Sequence, residues 1–116
     1  MNNLKKFREL SQIPPETFSK LLLIQKRRYL MMERETATIP EYTLIMISQI
    51  YGINKNIIFE PLKNISETDI KLIESIAELD PKIKEVFLAN RLTGKNRKRV
   101  FSSDIQKAKE LIMNKK

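Results

Sequence analysis

The chain of 116 residues has no cysteine, no histidine and no tryptophan, and only two glycines. Without thiol or imidazole there is no disulfide, no Cys or His nucleophile or base, and no zinc site of the Cys/His kind. The remaining candidates for chemistry are carboxylate pairs such as Glu33 and Glu35. These lean to different sides of a helix, without a partner base, a metal-ligand set or a pocket motif. The expectation is a protein that is not an enzyme and needs neither cofactor nor metal. The longest aliphatic run, residues 21–24, falls far short of the ~20 residues a bilayer span requires. The start Asn2-Asn3-Leu4-Lys5-Lys6 lacks the apolar region of a signal peptide. A cytoplasmic protein with no membrane contact is expected.

What is present is apolar content of 41%, enough for a core in a chain of this length, and a formal charge of +8 with 22 basic against 14 acidic side chains. Such a balance favours a polyanionic partner, although by itself it implies only solubility and non-specific attraction. The charge is patterned. Residues 1–35 carry eight basic and four acidic side chains, residues 36–60 one and two, residues 61–80 two and five, and residues 81–116 eleven and three. Two basic regions flank an acidic one.

Leu, Ile, Lys and Glu recur at spacings of three and four, which together with the scarcity of glycine predicts an all-α fold. Leu4, Phe7 and Leu10 or Ser11 make the face of a first helix, stopped by Pro14-Pro15, which also begins the next. Helix two is expected over 15–22 with Phe18, Leu21 and Leu22 as its apolar positions. Leu23, Ile24 and Gln25 form a turn in which Gln25 stands at the N-cap, and helix three runs from 26 to about 35 with Tyr29 and Met32 inward. Pro40 opens helix four, bearing Leu44, Ile47, Ile50 and Tyr51, and Gly52 ends it as a left-handed cap. Residues 53–59 form a short helix or turn. Ser66 and Asp69 have capping-box spacing and Ile65 and Ile70 staple spacing, so a helix starts there and reaches 79 with Ile70, Ile73, Ile76 and Ala77 on one face. Asp80-Pro81 turns the chain into a helix with Ile83, Val86, Phe87 and Leu92 that reaches Gly94, making an antiparallel hairpin. After the basic run at 95–99, Ser102 or Ser103 caps a last helix with Ile105, Ala108, Leu111 and Ile112 inward.

Residues 14–35 are the most informative stretch: two short helix patterns joined by a tight turn, the second opened by Lys26, Arg27 and Arg28. Arg8, Ile13, Phe18-Ser19, Ile24, Tyr29, Glu33, Leu44, Ile47-Ser48 and Tyr51-Gly52-Ile53 follow one another without a gap in a recognisable register. In this register the chain resembles the Cro/C1-type (XRE family) helix-turn-helix proteins over about half its length. The resemblance implies a five-helix, lambda-repressor-like DNA-binding domain at 1–62, followed by a helical C-terminal segment at 63–116 that serves dimerisation. It also implies sequence-specific binding of double-stranded DNA, with helix three in a major groove ~12 Å wide.

By position, Gln25, Lys26, Arg27 and Met31 would read bases. Lys26 and Arg27 would donate to guanine, Gln25 would pair with adenine, and Met31 would touch a thymine methyl. Arg28 would reach phosphate, and Arg34, Thr36 and Thr38 complete the DNA-facing set. Arg8 and Glu33 would form an ion pair between helix one and the end of helix three. For the dimer, Ile73, Ile76, Val86, Phe87, Leu111 and Ile112 are the residues expected to be buried, whether between two copies or within one core. The function implied is transcriptional regulation, as a repressor occluding a promoter. An antitoxin, or an adaptor or inhibitor binding a protein partner through the same surface, are the alternatives.

The sequence also departs from the family pattern. Leu23 replaces the turn glycine, Glu35 the glycine after helix three, and the loop proline falls one position late at Pro40. Pro14-Pro15 stand where the family often places a polar side chain against phosphate. Leu30 and Met31 put adjacent apolar residues on the groove side. They would contact thymine methyls, be buried by the C-terminal segment, or bind a protein.

Overall fold

Pro, Ser and Asp open four of the six α-helices among the described residues, and left-handed residues close the first four. A computed structural model describes residues 1–92. Within them run α1 (Leu4–Ser11), α2 (Pro15–Leu21), α3 (Lys26–Glu33), α4 (Glu41–Tyr51), α5 (Glu67–Ser75) and α6 (Pro81–Ala89). Single-turn 3-10 segments lie at Lys55–Phe59, Leu62–Asn64 and Ile76–Glu78, and no strand occurs among the described residues. The fold is all-α.

Pro14 and Pro40 are the extended N-caps of α2 and α4, where the missing proline N–H is no loss. The Ser66 hydroxyl accepts from the Asp69 N–H at 3.2 Å, and the Asp80 carboxylate from the Lys82 N–H at 2.9 Å. Each satisfies an N–H that a helix start leaves unpaired.

The first four helices end on Gln12, Leu23, Glu35 and Gly52, with φ of 53°, 60°, 63° and 71°. At the first three, a pair of N–H groups folds back onto the last turn. Gln12 and Ile13 donate to the Glu9 and Arg8 carbonyls, Leu23 and Ile24 to those of Lys20 and Ser19, and Glu35 and Thr36 to those of Met32 and Met31. This is the double-bonded helix terminus in which glycine is the usual left-handed residue. Here a Cβ is carried at three of the four. The left-handed Glu35 is also why α3 stops at Glu33, two residues before the expected end. Likewise α5 tightens at Ile76 instead of running as an α-helix to 79.

In α1 to α4 packing follows the predicted periodicity, whereas on α6 the expected Phe87 is exposed and Lys84, Leu88 and Ala89 are buried with Val86. Phe7, Phe18, Tyr29 and Tyr51 join α1 to α4 through ring contacts, with centroids 5.9 Å apart for Phe7–Tyr51, 5.3 Å for Phe18–Tyr29 and 5.8 Å for Phe18–Tyr51. The first two are edge-to-face, the arrangement aromatic quadrupoles favour. The Ser11 and Tyr51 hydroxyls lie 3.0 Å apart, and Ser11 also reaches the Phe7 carbonyl at 2.8 Å. The buried serine is therefore satisfied. Leu21, Leu22, Met32, Ile47 and Ile50 complete this part of the core.

The helices α5 and α6, expected to form a hairpin, take their main contacts from α1 and α2 respectively. Ile73, Ile76, Leu88, Ala89 and Leu92 enter the same core as α1–α4. The joint is also polar. Lys84, on α6 and 5% exposed, donates to the Ser11 and Gln12 carbonyls at 3.2 and 3.1 Å. Arg91 donates to the Ile50 carbonyl at 2.8 Å, and Lys20 pairs with Glu85 at 3.3 Å. Both carbonyl contacts put a cation at a helix C-terminus, where the unpaired carbonyls and the helix dipole favour it.

Two stability changes follow. Gln12→Gly should raise the unfolding free energy by about 1 kcal/mol by relieving a side chain held in the left-handed region. Lys84→Ala should lower it by about 2 kcal/mol through loss of a charge-assisted capping contact. Urea unfolding followed by circular dichroism measures both.

Candidate nucleic-acid interface

The geometry of α3 is fixed from behind. Tyr29 and Met32 are fully buried, and between them and the helix end Glu33 meets Arg8. The Arg8 Nε lies 2.6 Å from one Glu33 carboxylate oxygen and Nη2 lies 3.2 Å from the other, a two-pronged contact. The remaining Nη1 reaches the Ile13 carbonyl at 3.3 Å, so one guanidinium ties α1, the α1–α2 link and α3 together. With 14% and 5% of the two side chains exposed, the pair is largely shielded from water. Its hydrogen bond to Glu33 raises the Arg8 pKa against the opposing effect of burial. The Tyr29 hydroxyl is pushed up well beyond the ordinary phenol range, first by burial and then by the neighbouring Glu33 carboxylate, and stays neutral.

With Tyr29, Met32 and Glu33 inward, the opposite side of α3 faces solvent. Gln25, Lys26, Arg27, Arg28 and Arg34 are exposed, and Met31 is 37% exposed. Gln25, Arg27, Arg28, Met31, Ala37 and Thr38 line one open depression of about 420 Å³. Five of the eight residues expected to face DNA therefore meet in one place. Gln25 is the N-cap of α3, but its side chain makes no capping bond. No ion pair or side-chain hydrogen bond among the described residues occupies Arg27 or Arg28.

Three expected residues lie apart from this depression. Lys26 turns toward α2, where its ammonium is bound to the Glu16 carboxylate. Thr36 donates to the Met31 carbonyl at 3.1 Å and, with Thr38, borders a second depression beside Asn2, Ile39 and Phe59. Arg34 is exposed and lines neither depression. Leu30 is half-buried and packs against the core, leaving Met31 as the apolar member of the exposed face.

Sequence reasoning missed two partners of α3. Asn2 donates to the Met32 carbonyl at 2.9 Å, holding the helix end, and nothing in the local pattern singles it out. Glu16 was legible in principle. Lys26 lies three and seven positions before the inward-facing Tyr29 and Glu33, so it sits at the edge of the inward side of α3 and not on the face of Arg27 and Met31.

Of the residues expected at a dimer contact, Ile73 and Ile76 are buried in the chain's own core and Val86 is 5% exposed, while Phe87 is 41% exposed. Leu111 and Ile112, the last helix and the basic run at 95–99 lie outside the described residues. Residues 1–92 hold fourteen basic and twelve acidic side chains, against eight and two in 93–116. The positive character of the α3 face is therefore local, not a reflection of a strongly basic body.

Two measurements test this geometry. Glu33→Ala should destabilise by about 3 kcal/mol because it strands the shielded Arg8 charge; urea unfolding reports it. The Lys26 hydrogen bond holds the Glu16 carboxyl below its ordinary pKa. That carboxylate's small contribution to stability is therefore complete above the ordinary carboxylate range and is lost as pH falls through Glu16's own lowered value. A carbon-detected NMR titration should find Glu16 low in the intact chain and shifted up in Lys26→Ala; an ordinary value in the intact chain would mean that the pair does not form in solution. Compared with protein-family models, with curated proteins and with solved structures, the chain matches none of them.

Proposed function

We propose that this chain binds double-stranded DNA in a sequence-specific way, laying the exposed face of α3 in the major groove, and acts as a transcriptional regulator. The observation that carries this reading is the gathering of Gln25, Arg27, Arg28, Met31 and Thr38 on one exposed face, with neither arginine held by an ion pair or side-chain hydrogen bond among the described residues. A helix of ~10–12 Å diameter fits a groove of ~12 Å. Arginine donates in a fork that matches guanine O6 and N7, glutamine matches adenine, and a thioether packs on a thymine methyl. One short helix then presents complementary chemistry for several bases at once.

The residues divide by role. Arg27 and Gln25 read base edges, Met31 contacts a methyl group, and Arg28 and Thr38 anchor to phosphate or sugar. The ion pair of Arg8 with Glu33 sets the height and roll of α3 against the body. The chain acts as a repressor that occludes a promoter, and as a dimer, because a two-fold protein matches two half-sites about 34 Å apart. Exposed Leu72 and Phe87, on α5 and α6, offer apolar surface for the second copy.

Selection of bound duplexes from a random pool by the full chain, followed by affinity measurements across salt concentrations, tests the reading. Enrichment of one palindromic sequence is expected. Arg27→Ala should weaken binding to it by about 1–3 kcal/mol and relax preference at one base position. Arg28→Ala should weaken all duplexes evenly and reduce the salt slope by about 0.9. Enrichment of no sequence, or equal and sequence-blind losses from both variants, would sink the proposal.

A further inference from the structure

A duplex is held chiefly through its phosphates, and each such contact needs a cation that is not already engaged. The body has few to offer. Of the fourteen basic side chains in residues 1–92, Arg8, Lys20, Lys26 and Lys55 are paired with carboxylates, and Lys84 and Arg91 are bonded to main-chain carbonyls. Lys63, Lys71 and Lys82 are exposed but stand among the six carboxylates of residues 61–85. That leaves Lys5 and Lys6 on α1, and Arg27, Arg28 and Arg34 on α3 and its C-cap. With Arg27 on a base edge, α3 gives phosphate only Arg28 and Arg34. Two such contacts hold DNA weakly, with a salt slope of only ~1.8.

The missing charge lies further along the chain. Residues 93–116, outside the described residues, hold eight basic side chains against two acidic, and so carry six of the chain's eight units of net positive charge. Lys95, Arg97, Lys98 and Arg99 fall within five successive positions. Backbone spacing is at most ~3.6 Å per residue, against one phosphate per ~3.4 Å of axis on a DNA strand, so the run matches a strand in charge density. Its root is fixed: Leu92 is buried in the core, and Arg91 donates to the Ile50 carbonyl at 2.8 Å. Three residues on, Lys95 stays within ~11 Å of Leu92, so its contact belongs to the same binding event as that of the body. We infer that the run Lys95-Asn96-Arg97-Lys98-Arg99 is a second DNA-binding element, one that takes the phosphate backbone without regard to sequence and supplies the larger part of the affinity, while α3 supplies the preference. The inference rests on the reading of this chain as a DNA-binding protein. Hold and choice then reside in different parts of the chain and can be altered one at a time.

The test uses the full chain as wild type, a run variant (Lys95→Gln, Arg97→Gln, Lys98→Gln and Arg99→Gln together) and a body variant (Lys63→Gln, Lys71→Gln and Lys82→Gln together), with circular dichroism confirming that each is folded. Dissociation constants are measured over a salt series on the selected duplex and on a random duplex of equal length. The run variant should lose about 3.6 of salt slope on both duplexes, ~0.9 for each of four phosphate contacts, and should bind both about ten-fold or more weakly at ~0.1 M salt. The ratio between the two duplexes should change by less than about two-fold, because phosphate contacts carry no sequence information. The body variant removes charge of the same kind without touching the run, and its slope should stay within about one of the wild-type value.

A run variant that keeps the wild-type slope would overturn the inference and would mean that the run is engaged elsewhere, as by the carboxylates of residues 61–80. Equal slope losses from the two variants would overturn it as well, since net charge alone would then account for the hold. So would a loss confined to the selected duplex, which is the signature of base reading. A wild-type chain that enriches no sequence, yet whose run variant loses the slope on the random duplex, would defeat the reading of α3 and leave the run as the phosphate-binding element. A chain that enriches a sequence but owes none of its slope to the run would defeat this inference alone, and a chain that binds no duplex would defeat both.

Discussion

The ion pair between Arg8 and Glu33 is the constraint on which the arrangement of this molecule turns. Its guanidinium has three outlets, two to the carboxylate and one to the Ile13 carbonyl. It therefore references α3 to α1 and to the start of the link that leads into α2. Hydrophobic burial of Tyr29 and Met32 would hold α3 down but leave its roll and axial position loosely specified, since apolar contact is non-directional. The planar fork supplies the missing direction. Removing water from around the pair strengthens it and also makes the loss of either partner costly.

A second layer of polar contacts does for the helix ends what this pair does for α3. Lys84 covers the last carbonyls of α1, Arg91 one near the end of α4, and Asn2 one near the end of α3. Each reaches in from a distant part of the chain. The body is thus assembled from short helices whose unpaired termini are answered by other elements, and the apolar core supplies the rest. In helices of seven to eleven residues, the terminal turns are most of the helix, so the partners of those turns carry unusual weight.

Much of this was legible in the sequence. Phe7, Phe18, Tyr29, Met32, Leu44, Ile47, Ile50 and Tyr51 were placed inward by spacing alone, and all are buried. Pro14, Pro40, Ser66, Asp80 and Gly52 marked helix ends through local chemistry that needs no knowledge of the fold. What escaped is what depends on long-range meeting. The contact of Lys84 with residues 11 and 12 spans more than seventy positions, and a lysine among apolar neighbours on an amphipathic helix reads as solvent-facing. The exposed face of α3 was legible as a cluster of residue types, but the separation of Lys26 from Arg27 was not drawn from the cluster. It follows from helical angle together with a carboxylate ten residues earlier. The left-handed conformations of Leu23 and Glu35 were legible only through the resemblance, which puts a glycine at both positions, since their own side chains argue against the conformation that their helix termini require.

Those left-handed residues bear on how firmly the α3 face is presented. A glycine at the end of α2 and another after α3 would leave both flanking links free to sample conformations on either side of φ = 0. A Cβ at Leu23 and at Glu35 narrows each link to one small well. The strain is a standing cost in the unliganded chain. In exchange, little backbone freedom remains to be lost when α3 meets a partner, and ordering losses are a main reason why contact area fails to convert into affinity. The same two residues that make the fold less stable than it could be make its exposed helix a rigid, pre-set surface.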